Sequence, residues 1–213
     1  MVKMKKQIEN GTILMPNQII EIEKLITNKT IEVNLIKFLC SQELEWRFLS
    51  SINYSKGGPL ANIINDPLIK ESEGFAHTFY EDLNNGTILK SKYYEEISGI
   101  VPYLKKYSNQ DFKLLRLRAV YMPLRSDLKG FYNLPHVDLG VPHKTIIYYC
   151  NTNDGETIIF NETFEDILDF SKKTILARIK PQKGKAVLFN GLHYHTGSFS
   201  SDDHRLLLNC NFL

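Results

Sequence analysis

Beyond residue 110 the chain is written as short apolar runs separated by turns, and nothing else in it limits the fold so strongly. The runs fall at 113–122, 144–151, 156–160, 174–180, 185–189 and 205–212. They are rich in Ile, Leu, Val, Tyr and Phe, side chains that pack well on a pleated, half-buried surface. Asn-Asp-Gly at 153–155 and Lys-Gly-Lys at 183–185 supply turn residues between them. Many short strands punctuated this way predict two packed sheets, as in a jelly roll. The text before residue 110 has a helical period instead. Ile19, Ile22 and Ile26 recur at helical spacing after Pro16 and Asn17, and 31–40 and 91–106 read as helix, the latter ending or kinking near Pro102. The Ser-Lys-Gly-Gly-Pro stretch at 55–59 reads as a mobile loop. The expected class is α+β, mainly β, in one domain over 1–213. A helix-rich part, 1–110, is expected to support a jelly-roll core, 111–213.

Charge and cysteine content narrow the surroundings. The 26 Lys and Arg residues against 24 Asp and Glu leave a net charge of +2, which requires neither nucleic acid nor an anionic membrane as an obligate partner. No apolar run approaches the roughly 18 residues of a membrane span. The basic start, Met1 to Lys6, runs into Gln7, Glu9 and Asn10 and lacks the apolar core of a signal peptide. Cys40, Cys150 and Cys210 are odd in number and widely spaced, which suggests reduced thiols and a cytoplasmic location. Cys150 and Cys210 fall on predicted strands and are expected to be buried and inert.

The chemistry concentrates in four residues: His136, Asp138, His195 and Arg205. Residues i and i+2 of an extended segment point to one face, so His136 and Asp138 can reach one point. With His195 they make two imidazoles and a carboxylate, a set that leaves coordination positions open and suits non-haem Fe(II). Arg205, ten residues after His195, offers two parallel donors to a carboxylate. It is placed to hold the far end of a dicarboxylate that chelates the metal. Tyr149 shares a strand face with Ile147 and Thr145 and is a second donor candidate for that carboxylate, while Tyr121 is a donor candidate near the metal end. His193 rivals His195, because strand geometry does not separate residues two apart. The step to Arg205 and the His-Thr-Gly context favour His195.

Residues from about 113 to 212 resemble the 2-oxoglutarate- and Fe(II)-dependent dioxygenases, especially the prolyl-4-hydroxylase-like group. The matching text is Val-Tyr-Met-Pro (120–123), Pro-His-Val-Asp (135–138), Ile-Tyr-Tyr-Cys-Asn (147–151), Asp-Gly-Glu-Thr (154–157), 181–189, His-Thr-Gly (195–197) and Arg205. The resemblance implies a double-stranded β-helix core. It implies Fe(II) on His136, Asp138 and His195, and the cosubstrate 2-oxoglutarate on Arg205 with help from Tyr149, with Tyr121 beside its other carboxylate or the substrate. The implied activity uses O₂ to hydroxylate a peptidyl residue such as proline, or a small molecule, releasing succinate and CO₂. One departure stands out: many relatives carry Ser or Thr two residues after the arginine, where this chain has Leu207. Two other classes stay open: a non-catalytic jelly-roll binding module, and a cupin-type metal enzyme that does not use 2-oxoglutarate.

The remaining residues take plainer readings. Arg116 and Arg118 alternate with Leu115 and Leu117, as the polar face of a half-buried strand or as an anion site near the active centre. His143 is a loop residue that could line the mouth of the site, formed by 51–74 and 122–135. His77 is expected to pack on a helix, His204 to lie at the surface, and Trp46, Phe48 and Leu49 to pack under the sheet. Asn211 carries no signal of its own.

Overall fold

The computed structural model describes residues 17–52, 66–82, 86–108, 111–166 and 172–213. The basic start, the loop expected at 55–59 and most of 51–74 lie outside the described residues. Strands β1 (Ile20–Ile22), β2 (Arg47–Leu49), β3 (Gly74–Asp82), β4 (Ile88–Lys90), β5 (Leu114–Met122), β6 (Lys144–Tyr149), β9 (Ala186–Asn190) and β11 (Arg205–Phe212) form one large antiparallel sheet. Its order is β1-β9-β6-β11-β5-β3-β2, with β4 paired to β3. A smaller antiparallel sheet, β10-β7-β8, is built from β10 (His193–Gly197), β7 (Thr157–Thr163) and β8 (Ile175–Ile179). The two-sheet jelly roll that the turn-punctuated runs predict is the architecture observed. No helix among the described residues is long and apolar enough to cross a membrane.

Side-chain alternation gives the large sheet two different faces. On the outer face Leu117, Ala119, Ile146, Tyr148, Leu188, Leu206, Leu208 and Cys210 join one core with helix α1 (Lys29–Leu39) and the helical segment near 100. Asn28 caps α1, its side chain accepting from the amides of Thr30 at 2.9 Å and Ile31 at 3.3 Å. The helix then buries Leu35, Phe38 and Leu39 on that core. On the inner face Ile147, Tyr149, Val187, Phe189 and Leu207 meet Ile159 and Ile179 of the small sheet. The inner face also carries the polar residues of the site described below. Cys150 and Cys210 are buried as expected, and burial pushes both thiols up, away from the reactive thiolate.

The first half departs from its helical reading. Ile20–Ile22 is a strand, not a helix, because it pairs with the free edge of β9, Ile20 opposite Leu188 and Ile22 opposite Ala186. Pairing and burial outweigh a weak local period in β-branched residues. Three further strands precede residue 110 and extend the large sheet, so this part supplies strands as well as helices. His77 stands on β3 rather than on a helix, bonded to the Glu45 carbonyl at 2.7 Å and Ser91 Oγ at 2.8 Å. The 91–106 stretch is helical but broken: α2 (Tyr94–Ile97), a 3₁₀ turn (Ser98–Ile100) and α3 (Val101–Lys105). Pro102 opens α3 instead of ending a helix, since its missing N–H costs nothing in a first turn. Gly99 lies in the 3₁₀ turn, where a β-carbon would stand 3.0 Å from Ile31 Cγ2. Trp46 packs on the outer core, but Phe48 is 57% exposed.

Leu208 is fully buried in the central strand β11, with β5 on one side and β6 on the other. Leu208→Ala is expected to lower the unfolding free energy by about 2–5 kcal/mol, through lost burial and the cavity left behind. Urea denaturation followed by circular dichroism measures this as a lower midpoint at unchanged slope.

Candidate metal centre

The site forms where the loop after β5 is zipped onto the small sheet. The His136 amide donates to the His195 carbonyl at 3.0 Å, and the His195 amide returns a bond to the His136 carbonyl at 2.9 Å. The Asn133 amide donates to the Gly197 carbonyl at 3.0 Å, and Thr196 Oγ1 donates to the Asn133 carbonyl at 2.6 Å. His136 thus sits beside β10 as an extra rung, its ring centroid 4.5 Å from that of His195. Asp138 follows two residues later, not on a regular strand but in a bend. One ligand atom from each of His136, Asp138 and His195 lies within 4.8 Å of the others.

His193 does not join this set. It is buried, but the pairing of β10 with β7 shifts register between His193 and His195. That irregularity gives the two histidines separate surroundings where a regular strand would give them one face. His193 serves His195 through its backbone: His195 Nδ1–H donates to the His193 carbonyl at 3.1 Å. This fixes the tautomer with the lone pair on Nε2, and His195 Nε2 is buried with no hydrogen-bond partner. An imidazole whose outer N–H is held by a carbonyl and whose inner lone pair is unsatisfied has the form of a metal-ligating histidine. Burial, then the neighbouring His195, push His136 down to about 3, so it is neutral near pH 7. A neutral His136 and an ionised Asp138 are in the protonation states that metal binding requires.

Asp138 is held from the large sheet. Burial, the largest single effect, opposes its charge, but the adjacent Arg116 guanidinium together with His195 and His136 outweighs that and holds it well below the usual carboxylate range. Arg116 Nη2 donates to Asp138 Oδ1. Asn209 Nδ2 at 2.9 Å and Asn211 Nδ2 at 3.0 Å both donate to Oδ2. Arg116 Nε also donates to Asn211 Oδ1 at 3.0 Å. A carboxylate accepts at about four lone-pair positions, so three donors leave one for a cation. The register explains the cluster: Asn211 lies opposite Arg116 on one side and Thr145 on the other, and Asn209 lies opposite Arg118. Sequence reading assigned no role to Asn209 or Asn211. The available signal was polar residues at alternate positions of an otherwise apolar, buried strand.

Arg205 closes the other end of the cavity, 2% exposed on the same inner face. Its Nη1 donates to the Gly155 carbonyl and its Nη2 to Thr157 Oγ1 at 2.6 Å, while Nε is buried without a partner. Tyr149 lies beside it, the guanidinium carbon 6.0 Å from the ring centroid. Burial pushes the Tyr149 phenol up to about 12, so it remains a neutral donor, and it donates to Thr157 Oγ1 at 2.8 Å. Thr157, which sequence reading missed, therefore accepts two bonds and lines the cavity where Tyr149 does not. Its own hydroxyl proton remains to be donated. Tyr121 is not brought to this site. It stands on the outer face of β5, packed on Trp46, Phe75 and His204. The inner positions beside it are Val120 and Met122. His143 is buried behind the cavity wall against Gly191, where a β-carbon would lie 2.1 Å from its Nε2.

Arg116→Met leaves Asp138 buried without its cation, and a cost of about 3–5 kcal/mol in unfolding free energy is expected. The acid limb should move as well. With its value depressed, Asp138 contributes stability above the ordinary carboxylate range, and that stability is lost as pH falls through the depressed value. Without Arg116 the depression of Asp138 is smaller, so acid unfolding of the variant should begin at higher pH. Thermal melts of both proteins between pH 3 and 8 test this; identical acid limbs would remove Arg116 as the cause.

No protein-family profile matches the sequence, and no curated protein matches it. Solved structures do match the fold. A prolyl hydroxylase from Trichoplax adhaerens, in complex with a hypoxia inducible factor peptide fragment, superposes with a TM-score of 0.56 at 12% identity, over 92% of this chain and 84% of that one. A 2OG-Fe(II) oxygenase family oxidoreductase from Burkholderia pseudomallei gives 0.50 at 10% identity, over 87% and 92%. The non-heme alpha ketoglutarate dependent epimerase SnoN from nogalamycin biosynthesis gives 0.54 at 10%, over 92% and 77%. The fold of this chain is that of the 2-oxoglutarate/Fe(II) oxygenases, prolyl hydroxylases among them.

Proposed function

We propose that the protein is an Fe(II)- and 2-oxoglutarate-dependent oxygenase that hydroxylates a peptidyl residue or a small molecule. The balanced reaction takes a substrate C–H, O₂ and 2-oxoglutarate to C–OH, succinate and CO₂. The observation that carries this reading is the buried Nε2 of His195, without a hydrogen bond and 3.5 Å from Asp138 Oδ2, converging with His136 and Asp138. Three side chains at one point leave half of an octahedron for other ligands, as an iron site that must admit cosubstrate and O₂ requires. Bound Fe(II) would supply the O₂ activation that no side chain here can perform.

The chain's own residues would do the positioning. His136, Asp138 and His195 hold the metal, and Arg116, Asn209 and Asn211 fix the carboxylate in the orientation the metal needs. Arg205 takes the far carboxylate of 2-oxoglutarate, with its charge held ready by the Gly155 carbonyl and Thr157. Thr157 supplies the hydroxyl that Leu207 cannot, and Tyr149 acts through Thr157 rather than on the cosubstrate. Val120, Met122, Ile147 and Leu207 form apolar walls that keep water from the reacting atoms. Fold likeness extends to a prolyl hydroxylase and to an epimerase alike, so it does not select a substrate.

Anaerobic addition of Fe(II) and 2-oxoglutarate should produce the weak visible charge-transfer band of the chelate. Arg205→Ala and Thr157→Val should each require more 2-oxoglutarate for the same band, the arginine variant by roughly ten- to a hundredfold. Asp138→Ala should form no succinate. His195→Ala should lose Fe(II) affinity where His193→Ala keeps it. Iron bound without a band would point to a metal enzyme that does not use 2-oxoglutarate, and no iron binding would leave a binding module.

A further inference from the structure

The oxygenase reading, on which this inference rests, leaves one cation in the cavity without a task. Arg118 stands two residues beyond Arg116 on β5 and so shares its face. It lines the cavity with His136, Asp138, His195 and Asn209. Arg116 is spent on Asp138 and Asn211, and Arg205 on Gly155 and Thr157. Among the described residues Arg118 forms no ion pair, and its Nε is buried without a hydrogen-bond partner. A half-buried guanidinium with a buried, unpartnered Nε–H carries a desolvation cost that a bound anion would offset. Burial, the largest effect, and the neighbouring charge of Arg116 work against its positive charge, while Asp138 and Glu81 favour it.

Position separates Arg118 from the cosubstrate anchor. Its cross-strand partner is Asn209, which bonds Asp138, so Arg118 belongs to the metal end of the cavity. Arg205 is paired with Met122, four residues further along β5, or about 13 Å of strand. A dicarboxylate running from the metal ligands to Arg205 therefore leads away from Arg118. The charges agree. Asp138 is already matched by Arg116, and the cosubstrate's two charges answer a divalent metal. Arg205 and Arg118 then leave the cavity cationic.

We propose that Arg118 anchors a carboxylate of the substrate, and that the substrate is a small carboxylic acid such as a free amino acid. Its oxidised carbon lies a short distance from that carboxylate. The anchor sits in the wall between the sheets, beside the metal ligands. The charged end of a small molecule reaches such a point, whereas the middle of a peptide brings only neutral backbone.

The test uses the whole protein with Zn(II) as a redox-silent metal and saturating 2-oxoglutarate, so that Arg205 is occupied. Ligand-observed NMR is run with the twenty free L-amino acids, short-chain 2-hydroxy acids, the corresponding amides, and a short peptide containing Glu and Asp with both termini blocked. At least one free acid should bind the wild type while its amide does not. Arg118→Gln should weaken that acid by roughly ten- to a hundredfold, and Arg118→Lys by less. The 2-oxoglutarate affinity, read in the same spectra, should be unchanged in both variants and shows that they are folded. Equal binding of acids and amides, equal binding in Arg118→Gln, binding of the acidic peptide alone, or binding of no acid would each overturn the proposal. Absence of 2-oxoglutarate binding in the wild type would instead overturn the oxygenase reading, and free-acid binding that depends on Arg118 would then still support the anchor.

Discussion

The site depends on how Asp138 is kept ionised inside the protein. A buried carboxylate is costly in isolation, and here the compensation comes from Arg116, Asn209 and Asn211 on two neighbouring strands. Those strands lie at the middle of the large sheet, paired to each other along most of their length. The register of β11 against β5 is therefore also the geometry of the candidate metal centre. A slip of one residue would send Asn209 and Asn211 to the outer core and Cys210 and Leu208 to the cavity. Hydrophobic burial on the outer face thus fixes the polar arrangement on the inner face.

The inner face also divides the cavity along its length. His136, Asp138 and His195 lie at one end, Val120, Ile147 and Leu207 form an apolar middle, and Arg205 with Thr157 closes the other end. That order suits a chelating dicarboxylate anchored at its far end. Leu207 carries no hydroxyl, but Thr157 on β7 of the small sheet reaches the same guanidinium and is held there by Tyr149.

Much of this was legible in the sequence. The strand runs after residue 110 were, because apolar alternation and turn residues are local properties. The convergence of His136, Asp138 and His195 in one cavity with Arg205 was, because their order and spacing survive without knowledge of contacts. The β-strand at 20–22 was not, since its three residues gain their structure from the edge of β9, far away in the chain. Tyr121 was misjudged for a related reason. Its nearness to the Met-Pro step says nothing about which face it occupies, and alternation along β5 turns it toward Trp46 and His204.

By itself the sequence determined the class of fold and singled out His136, Asp138, His195 and Arg205 as candidates, because periodicity and residue chemistry are carried by the chain locally. Tertiary structure alone decided which neighbours each functional group meets. It set Asn209 and Asn211 on Asp138, gave Thr157 to Arg205, and left Arg118 lining the cavity without an ion pair among the described residues. The physical reason is that hydrogen bonds and ion pairs act over a few ångströms in space. Sheet register brings together residues tens of positions apart, and nothing local in the chain encodes that distance.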